Sequence, residues 1–138
     1  MKYKVALFLL ISVWLTGCDS ETSRTKNVST GPVKVSMIID FEGDSDNLNI
    51  KDLEITGQSS VRELLILASD KQLLTFSDTL YSGMGHLLLS INQMEPSGSE
   101  YWFYCVNGKK ANKGIDDFRL NDGDVIKWTL TADSDPCK

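Results

Sequence analysis

The sequence predicts an α+β domain: a single mixed sheet of about five strands with one helix packed across one face. Three observations carry this expectation. Apolar, β-favouring segments recur at residues 33–41, 50–55, 87–91, 101–106 and 125–131. One stretch, residues 61–72, instead carries helical spacing. Turn-forming strings such as Asn107-Gly108 and Asn121-Asp122-Gly123-Asp124 bound the later strands. One helix cannot cover both faces of a sheet. The order strand, strand, helix, strand, strand, strand is therefore met by a helix-backed mixed sheet with a right-handed crossover, the β-grasp arrangement.

The chain starts with a different kind of segment. Lys2 and Lys4 precede an apolar run over residues 5–15 broken only by Ser12, and Leu15-Thr16-Gly17-Cys18 follows. A basic start, a short apolar core and small residues before a cut site form an export signal. The run is shorter than the about 20 apolar residues that span a bilayer. The L-T-G-C string resembles the bacterial lipobox, which implies cleavage before Cys18 and acylation of that cysteine. The expectation is a lipid-anchored protein of a bacterial cell membrane, held in the bilayer by acyl chains such as palmitate and facing the periplasm or exterior. The alternative is a buried N-terminal helix with an incidental thiol. Four stretches are expected in all: a lipoprotein signal peptide over residues 1–17, a flexible polar tether over 18–32, the β-grasp domain over 33–131 and a C-terminal tail over 132–138. The tether is assigned because residues 19–32 are rich in Ser and Thr and have no periodicity.

Residues 33–41 (VKVSMIIDF) alternate and then turn wholly apolar, which suits an internal strand. Residues 42–49 form a turn-rich loop. Asp44 and Asp46 give it a slight likeness to a calcium loop, but the glycine and the final glutamate that such a loop needs are missing. Residues 50–55 return as an antiparallel strand. Ser60 and Glu63 have capping-box spacing, and Val61, Leu64, Leu65 and Ala68 fall on one stripe of the helix that follows. Residues 73–81 read as a short extended piece and residues 82–85 as a flexible bend. Residues 87–91, 101–106 (YWFYCV) and 125–131 (VIKWTLT) complete the strands.

Charge narrows the partners. The whole chain carries a net charge of −5. Residues 1–17 hold two Lys and no acid, leaving 12 basic against 19 acidic residues beyond them. An acidic surface without clustered Lys and Arg excludes nucleic acid as the partner. No HExxH, CxxC, phosphate-binding loop or GxSxG string is present, and the lone His86 has no partner fixed by the sequence. A non-catalytic protein without a metal site is expected. If Cys18 carries lipid, Cys105 and Cys137 are left to pair in an oxidising compartment. Free thiols at both positions are the alternative.

Four strings in the second half form a pattern: residues 85–92 (GHLLLSIN), residues 101–108 (YWFYCVNG), residues 114–120 (GIDDFRL) and residues 121–128 (NDGDVIKW). With the helix before them, they resemble the transcobalamin-like C-terminal domain family across nearly all of residues 33–131. Leu87-Leu88 and Gln93 depart from the family pattern. The resemblance implies a β-grasp fold and a membrane-anchored binding module with cobalamin or another corrinoid as its nameable ligand. In the vitamin B12 carriers of that family this domain forms one wall of the ligand site and a larger helical domain forms the other. Residues singled out for ligand contact are His86, Trp102, Tyr104 and Asn107. The aromatic strand offers a platform for a ring ligand or a partner surface. A non-catalytic interaction subunit docking on a surface or transport assembly is the second reading.

Overall fold

The computed structural model describes residues 31–41 and 47–138. The expected export signal, Cys18, most of the expected tether and the core of the 42–49 loop lie outside the described residues. Strand β1 (Pro32–Asp40) is followed by β2 (Leu48–Thr56), helix α1 (Val61–Asp70), β3 (Phe76–Tyr81), β4 (Gly85–Ile91), β5 (Tyr101–Val106), the two-residue β6 (Lys109–Lys110) and β7 (Val125–Thr131).

The expected α+β class is present, with a five-stranded mixed sheet in the order β2-β1-β7-β5-β6. Strand β1 runs parallel to β7 and antiparallel to β2. The sheet is not single, however. Residues 87–91, expected in the main sheet, belong to β4, which pairs with β3 as a separate two-stranded ribbon. The physical reason is local. Gly83 and Gly85 both hold positive φ, 79° and 83°, so the bend between them is tight enough to pair β3 with β4 directly. The place on the free side of β5 goes instead to β6, reached through the Asn107-Gly108 turn, where both residues have positive φ.

Register assigns the faces. Met37 and Ile39 of β1 stand opposite Ile126 and Trp128 of β7, which stand opposite Val106 and Tyr104 of β5. These residues share one side of the sheet, because alternate positions of a strand share a face. All are buried with Val61, Leu64, Leu65 and Ala68 of α1 in one apolar core. The helix starts where its sequence predicts. The Ser60 side chain accepts from the Glu63 amide, and the Glu63 carboxylate accepts from the Ser60 amide. It ends at Asp70, two residues short of the expected stop.

On the opposite face, β5 and β7 are covered by the tail. Cys105 and Cys137 are disulfide-bonded, with Cα atoms 5.9 Å apart. The bond lays residues 132–138 across the back of β5 and β7. There Thr129 donates to the Pro136 carbonyl, Lys127 Nζ to the Lys138 carbonyl and Lys110 Nζ to the Ser134 carbonyl. Lys127 also pairs with Asp40 at 2.9 Å. The helix thus covers one face of the main sheet, and the stapled tail covers β5 and β7 on the other. No helix among the described residues is long and apolar enough to cross a membrane.

Candidate functional site

The β3–β4 ribbon stands beside the main sheet, and β5 pairs with β6 only at Cys105 and Val106. The first half of β5 is therefore an open strand edge facing β4. Between them lies an apolar cleft of about 340 Å³. Leu87 and Leu88 of β4 form one wall. Residues 101–104 of β5 form another. Lys110, Ala111, Lys113, Gly114 and Ile115 close the third side, and Trp128 of β7 lies at the base. Its size is at the low end for a small-molecule site.

The aromatic strand is divided as alternation requires. Trp102 and Tyr104 point toward the core side and are 7% and 8% exposed, whereas Tyr101 is 59% exposed. Trp102 and Tyr104, two of the residues singled out for ligand contact, thus line the cleft from the inner face. Their polar tips are already bonded. Trp102 Nε1 donates to the Met94 carbonyl at 3.3 Å, and Tyr104 Oη donates to the Lys113 carbonyl at 2.6 Å. Tyr104 also meets Trp128 with ring centroids 5.1 Å apart. Burial, with the Asp117 charge adding to it, pushes the Tyr104 phenol up to about 12. Tyr101 and Phe103 contact each other edge to face, and Lys110 Nζ lies 4.6 Å from the Phe103 ring centroid.

His86 and Asn107 are placed elsewhere. His86 precedes the Leu87 wall and is clasped by Asp116: the His86 amide donates to Asp116 Oδ2 at 2.7 Å, and its Nδ1 lies 3.0 Å from the same oxygen. Burial alone pushes the Asp116 carboxyl up, but the bonds from His86 and the charges of His86 and Arg62 outweigh it and hold the group below its ordinary value. Arg62 of α1 pairs in turn with Asp78 of β3. The clasp ties the ribbon to the 114–117 loop, and the Arg62–Asp78 pair ties it to α1. Asn107 is engaged in the turn. Its Nδ2 donates to Asp124 Oδ1 at 2.8 Å, and its Oδ1 accepts from the Val125 amide at 2.9 Å. Neither residue lines the cleft.

Sequence reasoning missed Leu87, Lys113, Gly114 and Ile115 as cleft residues. Only the packing of the ribbon and the Tyr104 hydroxyl bond bring them to one place, and no local pattern signals it. Asp116 was equally hidden, since its partner His86 is 30 positions away. Among the described residues, no group of three His, Cys, Asp or Glu side chains is gathered to hold a metal. Cys18 lies outside the described residues.

A family model described as Domain of unknown function (DUF4430) matches residues 59–132. No curated protein matches the sequence. Among solved structures, haptocorrin in complex with Cbi is similar with a TM-score of 0.64 at 10% identity, covering 74% of this chain and 25% of haptocorrin. The chain thus corresponds to about a quarter of haptocorrin's length. A protein from Ruminococcus gnavus, provisionally described as metal binding, is similar with a TM-score of 0.54 at 16% identity, covering 72% of this chain and 96% of that one. At these identities the likeness is one of fold.

Proposed function

The chain belongs to the DUF4430 family, and from that premise we propose that it is a non-catalytic, membrane-anchored extracytoplasmic binding module that takes a small ligand in the β4–β5 cleft. The cleft itself carries the reading. It is a concave apolar site walled by aromatic side chains, and the three tethers of its walls are internal to the protein: Tyr104 to Lys113, Trp102 to Met94 and His86 to Asp116. A preformed site of this kind suits a ligand with a flat apolar body. Cobalamin or another corrinoid is the first ligand to try. The fold likeness to haptocorrin, whose structure holds Cbi, supports that choice. Anchoring through Cys18 is supported by the Leu15-Thr16-Gly17-Cys18 string after its apolar run.

Titration of the purified chain with cobalamin, followed by its visible spectrum and by heat, tests the ligand. A saturable change that Leu87→Gln weakens is expected. No response at high micromolar cobalamin removes the corrinoid from the reading.

A second reading, docking on a partner protein of a surface or transport assembly, draws on the β3–β4 ribbon. Leu80, Tyr81, Met84, Leu87 and Leu89 are all exposed on this one element, and an exposed apolar cluster is unusual on a free monomer. Crosslinking in membranes followed by mass spectrometry separates the two. Recovery of the chain alone counts against docking.

A further inference from the structure

The polar groups around the cleft have a bias in kind. Tyr104 Oη and Trp102 Nε1 are already donating to backbone carbonyls, and the Lys113 and Gly114 carbonyls are taken up by that same Tyr104 hydroxyl. Among the buried side-chain groups of the described residues one is left over, and it is a donor. Trp128 Nε1 is the one buried side-chain nitrogen or oxygen among the described residues with no hydrogen-bond partner, and Trp128 belongs to the cleft. A buried donor left without an acceptor is costly, so such a group calls for an explanation. Lys110 and Lys113 also line the cleft and are exposed at its rim. Lys113 has no ion pair among the described residues, and Lys110 meets a carbonyl and a ring rather than a carboxylate. No acidic residue lines the cleft, although the chain as a whole is acidic at −5. Asp117 stands near enough to act on Tyr104 but is not part of the lining.

Resting on the binding-module reading, we propose that this cleft selects an organic anion: a ring-bearing molecule whose apolar body lies between β4 and β5 and whose carboxylate, sulfonate or phosphate group meets Lys113 at the rim. The chemistry is complementary on both counts. Apolar walls remove the ring from water, and the orphaned Trp128 donor with the Lys113 ammonium at the rim suits a ligand that brings acceptors. A cation without an ion pair among the described residues, at the rim of an apolar cleft on an otherwise acidic protein, also favours an anion there.

The test uses the whole chain and two probes with one ring body, anilinonaphthalene sulfonate and uncharged anilinonaphthalene, each followed by its fluorescence. The sulfonate is expected to bind about tenfold tighter than the uncharged probe, the worth of one charge-assisted contact. Lys113→Glu should erase that preference while the uncharged probe still binds, so that loss of folding is distinguished from loss of charge. Leu87→Gln, at an exposed cleft residue, should weaken both. If both probes bind equally and Leu87→Gln weakens both, the cleft still binds ligands and the preference for an anion is overturned. If neither probe responds, or Leu87→Gln changes nothing, the binding-module reading fails and the anion proposal fails with it.

Discussion

Asn107 and Asp124 hold each other at 2.8 Å from two turns 17 positions apart. The bond fixes one end of the main sheet. Asp124 is 7% exposed, and its second oxygen accepts from the Asn121 amide. The same carboxamide of Asn107 caps the first amide of β7. Two strings that read as separate turns are therefore one structural device at the end of β5 and β7.

Asn107→Ala should destabilise the domain by about 1–3 kcal/mol, because it leaves the Asp124 oxygen and the Val125 amide unsatisfied. A further cost comes from placing alanine at a φ of 51°. Urea unfolding of the purified chain measures the loss, and a change within about 0.5 kcal/mol, the range of an ordinary surface substitution, would contradict it.

Reduction, or Cys137→Ser, should cost about 3–4 kcal/mol, as chain-entropy reasoning gives for a closed loop of 32 residues. The tail should also loosen, so that hydrogen exchange speeds at residues 132–138. Comparison of unfolding with and without reductant checks the first effect. Identical curves would show that the tail holds its place by its other bonds.

Alkali should reveal Tyr104. Its phenol ordinarily titrates near 10 and is pushed up to about 12 in the fold. The neutral form is favoured by folding, so this contribution is complete below about pH 10 and is lost as pH rises toward 12. Tyr104→Phe should flatten the stability profile across that window. At neutral pH it should cost about 1 kcal/mol or more through the stranded Lys113 carbonyl.

Gly85→Ala should break the His86–Asp116 clasp. A Cβ at Gly85 would meet Asp116 Oδ2 at 2.7 Å, and the site holds a φ of +83°. A loss of about 1–3 kcal/mol is expected. Asp116 also sets an acid signature. Its carboxyl lies below the ordinary 3.8, so its contribution is present above that value and is lost as pH falls through the lower one. Asp116→Asn should blunt this acid loss, which thermal unfolding across pH 2–5 would record.

Much of the main sheet is legible in the residues themselves. Residues 33–41 and 125–131 read as strands because their alternation meets one buried face, and Ser60 with Glu63 announces α1 through a purely local exchange of bonds. The ribbon was harder to see. Residues 73–81 alternate weakly, and β3 buries little, so its pairing with β4 depends on a bend whose glycines say nothing about which sheet the strand joins. The site was legible only in part. Trp102 and Tyr104 stand out as aromatic residues on a strand, but their direction follows from register with Leu130 and Trp128, a non-local fact. Lys113 and Asp116 have no signature of their own. They matter because Tyr104 and His86 reach them across the fold.

The parallel pairing of β1 with β7 places the earliest strand of the domain against its latest. A nascent polypeptide with this ordering keeps its principal sheet unsealed until residues 125–131 have emerged, since β1 and β5 both wait for the same late-arriving neighbour. Ribosomes that stall before Val125 would release two unjoined halves, β2-β1 and β5-β6, each with an open edge and neither able to close around α1.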